Sequence, residues 1–351
     1  MSYLVDKLIL DDIFDVDDEI RMDKEELILD ENYFRLAIKP VDPRFQVVWD
    51  MYKQQQAAFW TAEEIDFNED SHDFEKLNEN VQHFIKMVLA FFAGADTIVN
   101  ININKNFQQI TIREINVCYG WQMAMENIHG ETYADMLTNI VKDKKEQNNL
   151  INAFKTVDSI KKMIEFGNKW IDSDRRIAYK IFAFCIFEGL FFSGAFASIY
   201  WLKKVIGQAK MKGLIQSNNL IAKDEGMHVN FGCLLYTYIK YRIDDDEAIQ
   251  LMKDAVDIAK GFTDDALPIA LIGMNNTLMG EYIEYVADRL MVNLKYKKIY
   301  NTNLPEAFKF MESIGFLNKD NFFERRPTEY MRANNSNNTA GMWEFKILDE
   351  Y

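Results

Sequence analysis

Little in this chain of 351 residues breaks a helix. It holds five prolines and fifteen glycines, too few turn formers for a many-stranded sheet, so long helices are expected. No stretch alternates apolar and polar residues long enough to build a sheet, and no segment repeats at a solenoid period. The three cysteines, Cys118, Cys185 and Cys233, are odd in number, far apart and form no C-x-x-C pair. That argues against a disulfide framework or a zinc knuckle and predicts buried, reduced thiols in a cytoplasmic protein. Positive charge is scarce too: 40 Lys and Arg against 55 Asp and Glu leave a formal charge of −15, the wrong sign for a nucleic-acid surface. The N-terminus meets Asp6, Asp11 and Asp12 early and lacks the basic-then-apolar pattern of an export signal. Neither the His-Glu-x-x-His pattern of zinc proteases nor a Gly-rich phosphate loop after a strand is found.

Apolar side chains are abundant. With 48% hydrophobic and 14% aromatic residues the chain can bury a large core. Ile181 to Leu202 is nearly all apolar and imitates a membrane span, but it carries Glu188, whose insertion would cost about 2.5–3.5 kcal/mol. With no second such segment evident, a helix buried on all sides in a large bundle is the better reading. Residues 1–30 form an acidic arm, either partly disordered or a short surface helix. Helices are expected across 31–331. Among them is one after the KPVDPRF loop that carries Trp49, read as core, and a new start at the capping box Thr61-Ala62-Glu63-Glu64. Glu63, Glu64 and Asp66 are read as solvated. Residues 332–351 change character: an Asn-Ser linker precedes Met342 to Tyr351, whose Trp343, Phe345, Ile347 and Leu348 fit a tethered peptide that docks into a partner's groove.

Chemistry enters with Glu126-Asn127-Ile128-His129. Helical spacing puts Glu126, His129 and Tyr133 on one face. Glu225-Gly226-Met227-His228 repeats the Glu-x-x-His spacing, and two apolar helices each supply one isolated acid, Asp96 and Glu188. A lone buried carboxylate needs a partner or a metal. The order along the chain is therefore acid, Glu-x-x-His, acid, Glu-x-x-His, with gaps of 30 and 37 residues from each acid to its glutamate, enough for a helix, a turn and an antiparallel return. Six candidate ligands result: Asp96, Glu126, His129, Glu188, Glu225 and His228. This is the pattern of ferritin-like four-helix bundles with a dinuclear carboxylate site, with Asp in place of one Glu. Oxygen-rich donors with one imidazole per metal suit iron or manganese rather than zinc.

The blocks FWTAEEIDF, AFFAGADTIVNIN, MENIHGETY, FEGLFFSGAFASIYWLKK and DEGMHVNF, in that order, closely resemble the radical-generating small subunit of class I ribonucleotide reductase, most of all its eukaryotic and large-DNA-virus branch. The likeness runs from about Leu27 to Tyr330. It implies an all-α, ferritin-like fold, two iron ions (or manganese) on the six ligands, and activation of dioxygen to oxidise Tyr133 to a stable radical. It further implies that Phe192, Phe196 and Ile221 shelter that radical. Trp60 and Asp224 would form a relay from His129, continued by Tyr330 near the tail, towards a large subunit that binds the ribonucleotide and docks the tail Met342–Tyr351. A homodimer is implied as well. Departures from the family pattern are Lys223 where Arg is common, a longer loop at Gly207–Gly213, and a final Tyr351 where many relatives end in Phe. The competing readings are a di-metal oxidase or monooxygenase acting on a small apolar substrate, and a non-catalytic member serving metal storage or assembly.

Overall fold

The structure, a computed structural model, describes residues 15–207, 210–266 and 276–313. Among these there is no strand, as the scarcity of helix breakers and the lack of strand alternation predict. The helices are α1 (Val16–Lys24), α2 (Gln46–Ala57), α3 (Asp70–Glu75), α4 (Glu79–Asn102), α5 (Arg113–Ile140), α6 (Lys144–Ile151), α7 (Asp158–Ile171), α8 (Ile177–Ile186), α9 (Phe192–Ile206), α10 (Lys212–Tyr236), α11 (Asp245–Ala266) and α12 (Asn276–Asn293). A π-helical turn, Phe187–Phe191, joins α8 to α9 without a break, and another, Ile103–Phe107, follows α4.

The bundle that matters for function is built from α4, α5, α8–α9 and α10. Helix α4 packs along α5, while α10 lies against α5, α8 and α9. Helix α5 shows why: Ile115, Cys118, Tyr119, Gln122, Met125, Glu126, His129, Thr132, Tyr133, Met136, Leu137 and Ile140 are buried, a stripe at spacings of three and four that forms one helix face. Its middle is polar, so the same face that buries the helix also delivers chemistry. Helix α4 starts at Asn78, whose Oδ1 accepts from the Val81 N–H at 3.0 Å, and this satisfies one of the first turn's free donors. Helix α2 packs on α5 and α10, setting the segment that bears Trp60 against both.

The apolar run through Glu188 is a core helix, with 94% of its most apolar window buried. A second helix, Glu79–Phe107, is also long and apolar enough to cross a membrane, with 61% of its window buried. The expectation of a single such segment is therefore corrected: Gln82, His83, Lys86, Asp96 and Asn100 dilute the second run, so it is less uniformly apolar.

Other expectations shift at the edges. The capping box at Thr61 is present, but it opens only a short turn, Ala62–Glu64, and no helix follows until Asp70. Buried Ile65 and Phe67 alternate there with exposed Asp66 and Asn68, and the Asp66 carboxylate accepts from the Asn68 N–H at 2.9 Å; such a local bond competes with helix formation. Glu63, Glu64 and Asp66 are exposed, as expected. Trp49 is only half-buried and lies beneath the ammonium groups of Lys39 and Lys53, 5.8 and 5.3 Å from its ring, so it is not a core residue. All three cysteines are buried and free. From Val16 the acidic arm is helical, and Glu19 is buried against Arg175 and Arg176, its Oε1 2.9 Å from Arg176 Nη1. Residues 1–14 and 332–351 lie outside the described residues.

Candidate metal centre

Four helical segments deliver the six candidate ligands to one buried place. Asp96 comes from α4, Glu126 and His129 from α5, Glu188 from the π-helical turn, and Glu225 and His228 from α10. None is more than 3% exposed. They form two groups whose donor atoms lie within 4.8 Å of one another: Glu126, Glu188, Glu225 and His228, and Asp96, Glu126 and His129. A π turn widens a helix by one residue and is often found at functional sites; here it carries Glu188.

The two imidazoles face each other across the glutamates, ring centroids 6.1 Å apart. Glu126 reaches both, with Oε2 3.2 Å from His129 Nδ1 and Oε1 2.9 Å from His228 Nδ1. Glu225 does the same, with Oε1 3.0 Å from His129 Nδ1 and Oε2 3.1 Å from His228 Nδ1. Both carboxylates thus span two positions, each of which has one imidazole nitrogen and one terminal acid at hand, Asp96 for the first and Glu188 for the second.

Four carboxylates in a dry interior repel one another. Burial, then the charges of Glu225 and Glu126, push the Glu188 carboxyl well above its usual range. Burial and the Glu126 charge do the same to Asp96. Burial opposes charge on Glu225 as well, yet its bond with Glu188 and the charge of His228 hold it low. Burial also disfavours a charged His129, but Asp224, Glu126 and Glu225 overcome this and raise its proton affinity; Glu126 and Glu225 act likewise on His228. A field that retains protons on imidazole retains metal cations too. Neither Asp96 oxygen has a hydrogen-bond partner, although buried oxygens are normally satisfied. The donor set therefore fits two divalent cations of the iron or manganese kind.

Tyr133 lies one turn beyond His129, 2% exposed, its hydroxyl without a hydrogen-bond partner. Burial first, then the charges of Asp96, Glu225, Glu126 and Glu188, raise its phenol far above the ordinary value. Its ring stacks on Phe92, centroids 4.4 Å apart and planes at 6°. Phe196 and Phe192 close on Phe92 from 5.3 and 5.9 Å, so Phe92 is the direct cover, and the two expected phenylalanines back it. Sequence reasoning missed Phe92; its position one turn before Asp96 was the available signal. Ile221 is fully buried one turn before Glu225.

Trp60 is 2% exposed. Its Nε1 donates to Asp224 Oδ2 at 2.8 Å, and the same oxygen lies 3.1 Å from His129 Nε2. The indole also stacks on the imidazole, 5.8 Å between centroids at 16°. Lys223 is exposed. Gln122, also missed, donates from Nε2 to Glu126 and Glu188. Tyr330 and Met342–Tyr351 lie outside the described residues.

Helices arranged around two buried carboxylate–imidazole groups define a ferritin-like bundle with a dinuclear centre. The profile of the ribonucleotide reductase small chain matches residues 37–307. The ribonucleoside-diphosphate reductase small chain of Acanthamoeba polyphaga mimivirus is 47% identical over 296 residues, covering 84% of this chain and 70% of that one. Small chain 1 of Saccharomyces cerevisiae is 44% identical over 315 residues, 89% of this chain and 77% of the relative. The structure of the Rnr4 homodimer from the same yeast superposes with a TM-score of 0.75 at 31% identity, covering 90% of this chain and 96% of that one. The chain belongs to the small-chain family of ribonucleotide reductase. The chain is thus the small subunit of a ribonucleoside-diphosphate reductase, an oxidoreductase in which the small subunit works with a large one. The family implies a dinuclear metal site and a radical.

Proposed function

We propose that Asp96, Glu126, His129, Glu188, Glu225 and His228 hold two ions of iron, with manganese as the alternative, and that Tyr133 stores the oxidising equivalent. The observation that carries this reading is the double reach of Glu126 and Glu225, each with one oxygen at each imidazole. When bound, a redox-active metal pair supplies electrons to dioxygen and a one-electron oxidant for a nearby phenol.

The chain's own residues do the rest. Tyr133 gives up one electron and its phenolic proton and becomes a neutral phenoxyl radical. Because burial and the surrounding acids raise the phenol's proton affinity, the proton leaves with the electron and not before it. Asp96, the first of the acids acting on that phenol, is the acceptor at hand. Phe92, backed by Phe192 and Phe196, and Ile221 keep water and reductants from the ring. The hole leaves through Trp60: its indole N–H already donates to Asp224 Oδ2, so the proton has a place to go as the ring is oxidised. Asp224 in turn fixes the orientation of His129. Tyr330 would extend the relay, and Met342–Tyr351 would dock this chain, as a homodimer in the cytoplasm, on the large subunit that binds the ribonucleotide.

Loading the metal-free protein with Fe(II) under anaerobic conditions, admitting oxygen and recording the electron paramagnetic resonance spectrum tests the reading. A tyrosyl doublet that disappears in Tyr133→Phe is expected; no radical with either iron or manganese would overturn it.

A further inference from the structure

Gln122 is fully buried on α5, one turn before Glu126. Its Nε2 donates to Glu126 Oε1 at 3.2 Å and to Glu188 Oε1 at 3.3 Å, while its own carbonyl oxygen has no hydrogen-bond partner. An amide facing two carboxylates has only one workable orientation, because exchanging its nitrogen and oxygen would set three acceptors against each other. The side chain thus leaves its carbonyl unsatisfied in order to place both amide hydrogens on acids.

Glu126 spans both positions, but the two oxygens that the amide holds face the same side of the centre. Glu188 belongs to the group formed with Glu126, Glu225 and His228, and Glu126 Oε1 is the oxygen 2.9 Å from His228 Nδ1. On the other side, neither Asp96 oxygen has a hydrogen-bond partner, and His129 is oriented by Asp224. The support for the two halves therefore differs in kind. One has its imidazole held through the outer ring nitrogen, the other its carboxylates held by a neutral amide.

We propose that Gln122 is a positioning residue for the His228-side metal, holding Glu188 and Glu126 Oε1 in place so that the two metal positions bind with unequal affinity. This rests on the reading of the six residues as metal ligands. Glu188 has particular need of such a hold. It sits on a π turn, its Oε2 has only His228 Nδ1 at 3.8 Å, and without the amide no neutral donor would offset the repulsion from Glu126 and Glu225. A donor that is uncharged can order both carboxylates without competing for them as a cation would.

The test is an anaerobic Mn(II) titration of the metal-free full chain, with free Mn(II) read by electron paramagnetic resonance. Gln122→Met keeps the length of the side chain and removes the donor; Gln122→Asn, whose amide is withdrawn by one methylene, serves as the second variant should the first not fold. Each is also made in an Asp96→Ala background, which leaves the His228 side, and in a Glu188→Ala background, which leaves the His129 side. The expected result is roughly 10-fold weaker Mn(II) binding in the first background, and less than about a twofold change in the second. Equal weakening in both backgrounds, or none in the first, overturns the proposal. If the unaltered chain fails to take up two ions, the ligand reading falls, and the proposal with it.

Discussion

The two Glu-x-x-His segments have the same local spacing and end in different jobs. On α5, His129 turns its outer ring nitrogen to Asp224, and through that carboxylate to Trp60; one turn further lies Tyr133 against Phe92. On α10, the residues after His228 are the exposed Asn230 and the buried Cys233, neither of which can hold a phenoxyl radical. The α5 segment therefore lies between Tyr133 and the Trp60–Asp224 pair, whereas the α10 segment follows Asp224 and packs on the turn that bears Glu188. A shared motif places donors; the neighbours of that motif assign the roles.

The comparison can be broken most sharply at the ligands. Glu225→Ala removes a carboxylate that reaches both imidazoles, so metal analysis after anaerobic loading should find both ions lost; Asp96→Ala should retain one. Equal losses would mean that the glutamates do not span the two positions. Next in size is Asp224→Asn. The radical should still form, while turnover with the large subunit falls about 10–100-fold, because the bond from Trp60 to the His129 side is disturbed. Full activity would remove Trp60 from the route.

The glycines give a smaller contrast. A Cβ on Gly232 of α10 would come within 2.7 Å of Cys185 Sγ, so Gly232→Ala should destabilise by about 1–3 kcal/mol through overpacking beside the Glu188 turn. A Cβ on Gly130 of α5 meets nothing within 4 Å, and Gly130→Ala should stabilise by about 0.5–1 kcal/mol. Denaturant unfolding of the two variants would show whether the α10 side is the tightly packed one.

An effect of similar size concerns the start of the helix leading to Glu188. Asp23 accepts from the Ile177 N–H at 2.9 Å, and burial lifts its carboxyl to about 6 despite that bond. Because the folded value is raised, the contribution to stability is full below about pH 4 and is lost as pH rises through about 6. Wild type should therefore lose on the order of 1 kcal/mol relative to Asp23→Asn between pH 4 and 7, after allowance for the partial exposure of the group. Parallel stability curves for the two proteins would show that Asp23 does not titrate in this way.

Much of the site could be read from the chain. The six candidate ligands all come together, because Glu-x-x-His fixes two donors on one helix face and a solitary acid in an apolar helix has little alternative to a buried partner. Trp60 and Asp224 meet as the family likeness implied. Phe92 and Gln122 were not legible. One is a phenylalanine in a run of apolar residues and the other a glutamine without distinctive spacing, so only their neighbours across the bundle reveal them. The short turn at Ala62–Glu64 was misjudged because a local bond at Asp66 outweighed a good cap.

By itself the sequence determined that the chain is helical, that two like halves each carry an acid and a Glu-x-x-His, and which family it belongs to. These follow from local periodicity, from the scarcity of helix breakers and from the cost of burying an unpaired carboxylate. Only the tertiary structure decided which oxygens span two imidazoles, that Phe92 is the ring against Tyr133, that the Gln122 amide donates to both Glu126 and Glu188, and that one acidic oxygen serves both Trp60 and His129. Those are relations between helices far apart in the chain, and they exist only once packing has brought the faces together.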